Sequence, residues 1–139
     1  MTVSEQFLQL QNGKPMWLAL SVRNTTATQQ SINITVEVKG TTPPPGFLNV
    51  NNDTASGNPY PSNSSWTCNN PAEIASPTTD SFFHCSAVIP ANATSTTMVT
   101  TGSSFKAAGN TITITSTVND VNGSTANLPA PATAQGTVV

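Results

Sequence analysis

Apolar and polar side chains alternate one by one along four stretches of the chain. The apolar members of these stretches are Met16, Leu18, Leu20 and Val22; Ile32, Ile34, Val36 and Val38; Phe83, Cys85, Ala87 and Ile89; and Ile112, Ile114 and Val118. A period of two is typical of a β-strand that buries one face. A shift of one residue would expose the whole apolar set, so the register is strongly specified. Nowhere do ten residues show helical spacing, and we predict an all-β protein.

Turn-forming residues separate these strands. Asn12 and Gly13 predict a first turn, and Asn122 and Gly123 give a strong hairpin signal. Three consecutive prolines at 43–45 end the strand before them, because proline cannot donate to a strand ladder. Long loops are expected at 51–65 and 71–80. Further short strands are predicted at 47–50, 66–68, 97–101 and within 126–139, and a terminal strand or arm at 1–14.

Some eight or nine short strands joined by loops of these lengths indicate an immunoglobulin-like β-sandwich. At 139 residues the chain is expected to form one such domain over 15–139, preceded by the 1–14 arm, which is a candidate donor strand. The apolar candidates of that arm are Val3, Phe7, Leu8 and Leu10.

The only two cysteines, Cys68 and Cys85, lie in short predicted strands, and Trp66 stands two residues before the first of them. This arrangement predicts one inter-strand disulfide that staples the two layers beneath a buried indole. The chain-entropy model gives such a bond a stabilisation of about 3 kcal/mol. A disulfide indicates an oxidising compartment, and hence an extracellular or cell-surface location; a pair of buried thiols in a reducing compartment is the alternative.

The composition is poor in charge and rich in hydroxyls and amides. Ser and Thr together number 38 and Asn 15, whereas charged residues are 7% of the chain and the net charge is -2. The four Lys and Arg residues are scattered, which argues against nucleic acid, since phosphate binding needs clustered cations. No apolar run is long enough to predict a transmembrane segment. The first 20 residues lack the features of a signal peptide, so a secreted form would be the mature one.

The order of these features resembles the DUF11 and CARDB-like repeats of prokaryotic surface proteins. The resemblance covers roughly residues 15–125 and rests on an Asn-Thr turn after Arg23, the ITVEV strand, the PPPGF turn, Trp-x-Cys at 66–68, a later Cys at 85 and the TITITSTV strand. It implies an extracellular structural or adhesive role. The family carries no catalytic residues to transfer.

Candidate catalytic and metal-binding chemistry is sparse. His84 is the only histidine and is expected to point away from the face of Cys85, so neither a Ser-His-Asp triad nor a zinc site has an evident basis. Asp120 to Gly123 resembles the start of a calcium loop, but it lacks the Glu that should follow. We therefore predict a protein that is not an enzyme and has no cofactor and no metal site.

Six Asn-x-Ser/Thr sequons are candidate N-glycosylation sites and are expected to be exposed: Asn24, Asn33, Asn52, Asn63, Asn92 and Asn122. The favoured function is a structural subunit of a cell-surface assembly such as a pilus-like filament, in which the 1–14 arm adds as a strand to a neighbouring copy. An ordinary edge strand within its own sheet is the alternative for the arm. The other functions considered are an adhesin or carbohydrate-binding module that uses the 51–65 loop, and a virion surface or decoration protein. Expected partners are copies of the chain, other surface proteins or glycans.

Overall fold

The computed structural model describes residues 1–14, 16–40, 63–68, 73–76, 80–100 and 108–139. Within these ranges the regular structure is entirely β. The strands are β1 (Thr2–Gln9), β2 (Trp17–Arg23), β3 (Gln30–Gly40), β4 (Trp66–Cys68), β5 (Glu73–Ser76), β6 (Asp80–Ile89), β7 (Thr94–Thr100), β8 (Thr111–Val121) and β9 (Ala132–Thr137).

The strands form two sheets. The smaller sheet has the order β1-β2-β7, and the larger has the order β4-β6-β3-β8-β9, with β5 also paired to β6. Every pairing between these strands is antiparallel. The chain crosses from the smaller sheet to the larger between β2 and β3, returns between β6 and β7, and crosses to the larger sheet again between β7 and β8. The structure therefore confirms the predicted immunoglobulin-like β-sandwich.

The core lies between the two sheets and is built by the alternation along β2, β3, β6 and β8. All fifteen apolar residues identified by that alternation are buried, and Val99 of β7 and Trp66 of β4 join them. Each fully buried aliphatic or aromatic side chain contributes about 1.5–3 kcal/mol relative to an exposed one. The outward row of threonines on β8 is half-buried, as a β-branched row on a strand surface should be.

The turn after β8 follows the sequence signal. Asn122 and Gly123 both have positive φ, at 51° and 79°. The backbone N–H groups of Val121 and Ser124 each donate to the other residue's carbonyl at 2.9 Å. Two central residues with positive φ between a doubly hydrogen-bonded pair define a type I′ hairpin, which Asn-Gly favours.

The disulfide is present between Cys68 and Cys85, but it does not join the two layers. The two cysteines are direct partners on β4 and β6, which are neighbours in the larger sheet. Trp66 is 2% exposed, and its indole N–H donates to Ser95 Oγ on β7 at 2.8 Å. The prediction of an inter-strand disulfide beside a buried tryptophan is thus confirmed, whereas the stapling of two layers is wrong. The Trp66 side chain, and not the disulfide, connects the two sheets.

Some strands differ from the sequence prediction. β5 forms inside the predicted 71–80 loop, as a short partner of β6. β7 begins three residues earlier than predicted, because its inward positions Ser95 and Thr97 are polar and conceal the alternation; both are buried. β9 begins after Pro131 and lies within the predicted 126–139 region. The predicted strand at 47–50, and the predicted 51–65 loop up to residue 62, lie outside the described residues.

Candidate functional site

The N-terminal segment forms β1, an edge strand of the smaller sheet that pairs with β2 of the same chain. Val3, Phe7 and Leu10 are partly buried against the core. Leu8 is 47% exposed, because it continues the outward row of Thr2, Ser4 and Gln6. Three of the four candidate donor residues therefore face the core together, and the fourth does not. Whether this strand is donated to another copy stays a prediction.

β1 lies close to β9 of the opposite sheet. A Cβ atom added at Gly136 of β9 would lie 3.0 Å from Leu10 Cδ2 and 3.2 Å from Phe7 Cδ2. The segment after β1 is also tied down, since Asn12 N–H donates to Val139 O at 2.7 Å and Val139 N–H to Leu10 O at 3.3 Å. The glycine thus lets the arm pack closely on the other layer at this side of the sandwich.

Glu5 occupies the inward row of β1 between Val3 and Phe7. Ser116 Oγ of β8 donates to Glu5 Oε2 at 2.5 Å, whereas Glu5 Oε1 is buried and has no hydrogen-bond partner among the described residues. Burial raises the pKa of Glu5 to about 7, and the hydrogen bonds from Ser116 and from the Ala134 backbone only partly offset this. Sequence reasoning missed Glu5. The signal was its position two residues after Val3 and two before Phe7, because alternate residues of a strand lie on the same face.

Asn24 is fully buried, so the expectation that its sequon is exposed is wrong. Its Nδ2 lies 2.9 Å from Thr28 O, 3.2 Å from Ile89 O and 3.0 Å from Pro90 O. Its Oδ1 accepts from the backbone N–H and the hydroxyl of Thr26. The side chain therefore links the β2–β3 connection to the end of β6, and its amide nitrogen is fully engaged.

The asparagine side chains of the other described sequons differ in exposure and in the hydrogen bonds that their Nδ2 atoms donate. Asn63 Nδ2 donates to Thr96 O, and Asn122 Nδ2 donates to Gln30 Oε1. Asn33 is exposed, and its Nδ2 donates to the carboxylate of Asp120. Asn92 is exposed in the β6–β7 turn with φ 53°. Asn52 lies outside the described residues.

His84 lies on the outer face of the larger sheet, opposite in direction to Cys85, as the alternation predicts. Its Nδ1 is 3.0 Å from Thr35 Oγ1, and Asn119 Nδ2 donates to the same hydroxyl at 2.6 Å. His84 and Asn119 belong to a groove of about 350 Å³ whose other lining residues are Asn33, Ile34, Thr67, Cys85 and Ser86. Sequence reasoning placed His84 correctly but did not bring it together with Asn119, which is 35 residues away in the chain.

The part of the chain that the structure describes also bears on metal binding and on membrane spanning. There, no group of three or more His, Cys, Asp or Glu side chains is placed to hold a metal ion. No helix in those same ranges has the length and apolar character that crossing a membrane requires.

Comparison with known proteins gives similarity of structure only. No family model matches the sequence, and no curated protein matches it. A cohesin module from a family 33 glycoside hydrolase of Clostridium perfringens is 7% identical, with a TM-score of 0.52 over 99% of this chain and 96% of that one. A chain of a complex between CaDoc0917 and CaCohA2 is 14% identical, with a TM-score of 0.51 over 99% of this chain and 100% of that one.

A protein from Nocardia farcinica with an immunoglobulin-like fold is 14% identical, with a TM-score of 0.49 over 99% of this chain and 98% of that one. At these identities the comparisons concern the fold alone. The antiparallel pairing and the order of the two sheets identify the chain as an immunoglobulin-like β-sandwich.

Proposed function

We propose that this protein is a non-enzymatic extracellular structural protein, a subunit of a cell-surface assembly such as a pilus-like filament. The single observation that carries the proposal is the state of β1, an edge strand whose core-facing side chains Val3 and Phe7 are only half-buried. Strands of this kind can be exchanged between copies, because main-chain hydrogen bonds and alternate apolar side chains supply the same binding in either partner.

Three other features support the proposal. The Cys68–Cys85 disulfide fits an oxidising compartment. The outer surfaces carry mainly uncharged polar residues, and charged residues are 7% of the chain. The resemblance to DUF11 and CARDB-like repeats points to a surface role, and at the level of fold the similar structures include a cohesin module.

Two alternatives share the same fold. The adhesin or carbohydrate-binding module was placed on the 51–65 loop, most of which lies outside the described residues. The virion surface or decoration protein is the second alternative, and the disulfide fits it equally well, because disulfides persist on virion surfaces as they do on cell surfaces.

The experiment removes residues 1–11 and then returns them as a peptide. The truncated chain should be a soluble monomer that forms no filament by electron microscopy, and a synthetic peptide of residues 1–11 should bind it and raise its melting temperature. A peptide with Phe7→Asp is the matched control and should not bind, because the carboxylate would be buried among apolar residues. Filaments of normal length from the truncated chain, or a truncated chain that ignores the peptide, would overturn the proposal.

A further inference from the structure

The outer face of the larger sheet carries a straight row of hydrogen-bonding side chains. Thr67, Ser86, Asn33 and Asp120 are direct register partners across β4, β6, β3 and β8. Neighbouring strands lie about 4.8 Å apart, so the row extends over about 14 Å. Thr67, Ser86 and Asn33 are exposed, and the Asp120 carboxylate holds the amide of Asn33.

A β-bulge brings a further amide to this row. In the pairing of β3 with β8, Asn33 lies opposite Asp120, whereas the next residue, Ile34, lies opposite Val118. Asn119 is therefore an extra residue in β8. Bulges of this kind re-aim side chains and are frequent beside functional sites. Asn119 is exposed and donates to Thr35 Oγ1, which is also within hydrogen-bonding distance of His84. The side chains of the groove are thus held in place by one another.

Ring and apolar surfaces flank the polar row along β6. Phe82, His84, Ser86 and Val88 occupy the outward positions of this strand, and Val88 is 41% exposed. Successive outward residues are about 6.7 Å apart along a strand, so a ligand that lies along β6 would contact several of them in turn. Aromatic and imidazole rings next to amide and hydroxyl groups offer both the stacking and the hydrogen bonding that a sugar ring uses.

We propose that this groove binds a neutral oligosaccharide that lies along β6 and crosses the Thr67–Asp120 row. The described residues that line the groove include no Lys or Arg, which disfavours phosphate or another polyanion. β3 and β6 are each paired on both sides, so a peptide strand cannot be added there through its backbone. The side chains must supply the contacts, and a ligand dense in hydroxyl groups matches amides, hydroxyls and a carboxylate best. This inference does not depend on assembly through β1.

The test titrates the full chain with cellohexaose, chitohexaose, xylohexaose and mannohexaose, followed by ¹⁵N–¹H NMR. We expect at least one sugar to shift the amides of β6 and of 117–120, with a Kd of about 0.1–1 mM, since an open groove orders only a few side chains. His84→Ala and Asn119→Ala should each weaken that binding about fivefold, the effect of losing one or two hydrogen bonds.

Gln135→Ala is the matched control, because Gln135 donates to Thr113 on the same face but outside the groove, and it should bind as the wild-type chain does. Urea unfolding of each variant checks that the sandwich is intact. Absence of shifts with all four sugars at about 10 mM, a concentration well above the expected Kd, would overturn the inference. Binding that His84→Ala and Asn119→Ala leave unchanged in folded protein would overturn it as well.

Discussion

Replacement of Asn24 tests whether one buried amide holds together two of the crossings between the sheets, the β2–β3 and β6–β7 connections. Asn24→Ala removes the donors to the carbonyls of Thr28, Ile89 and Pro90 and the acceptor of two bonds from Thr26. Each lost hydrogen bond costs about 0.5–1.5 kcal/mol, and more where the group left behind stays buried. Water can reach the groups on Thr26 and Thr28, whereas the Ile89 carbonyl is buried. We therefore expect a loss of about 3 kcal/mol in the free energy of unfolding.

Asn24→Asp keeps the shape of the side chain and changes only the donors. At neutral pH a carboxylate would face three carbonyl oxygens, so this variant should be at least as destabilised as Asn24→Ala. On acidification the carboxyl gains a proton, which it can donate to one carbonyl. The deficit of Asn24→Asp relative to wild type should therefore shrink between pH 7 and pH 4, a change that Asn24→Ala should not show.

Urea unfolding followed by tryptophan fluorescence measures both variants, because Trp66 is buried in the core. Asn12→Ala is the control, since Asn12 is an exposed turn residue whose backbone, not its side chain, donates to Val139. It should change the free energy of unfolding by less than about 0.5 kcal/mol. A loss below about 1 kcal/mol for Asn24→Ala would refute the role assigned to this amide.

Three further predictions concern the pH response, the disulfide and glycosylation. Because the pKa of Glu5 is raised to about 7 from 4.5, its contribution to the free energy of unfolding is fully present below pH 4.5 and is lost as the pH rises through 7. Discounted for the partial exposure of the side chain, this contribution is about 2 kcal/mol. Glu5→Gln should reduce the dependence of the unfolding free energy on pH, as measured by urea unfolding at several pH values. Replacing Cys68 and Cys85 by Ala should lower the unfolding free energy by about 3 kcal/mol, and an unchanged urea midpoint would contradict this. In a host that glycosylates sequons, peptide mass spectrometry should find glycan on the exposed Asn92 and none on the buried Asn24.

Local pattern determined which side of each main strand is buried. In β2, β3, β6 and β8 the apolar residues recur every second position, and this period depends only on the pleat of the strand, so no partner is needed to predict the inward face. The Asn122–Gly123 turn is equally local, because positive φ at two successive residues is a property of those residues. For the same reason the prediction fails in β7, where the inward Ser95 and Thr97 are polar.

Only the tertiary structure decided which strands are neighbours, because pairing depends on contacts between residues far apart in the chain. The sequence placed both cysteines in strands, yet only the sheet order shows that the disulfide lies within one layer. Asn24 has the sequence signature of an exposed sequon and is buried, because a distant turn supplies the acceptors for its amide. Glu5 has no charged partner in its hydrogen bonds, and its raised pKa arises from the opposite sheet that covers it.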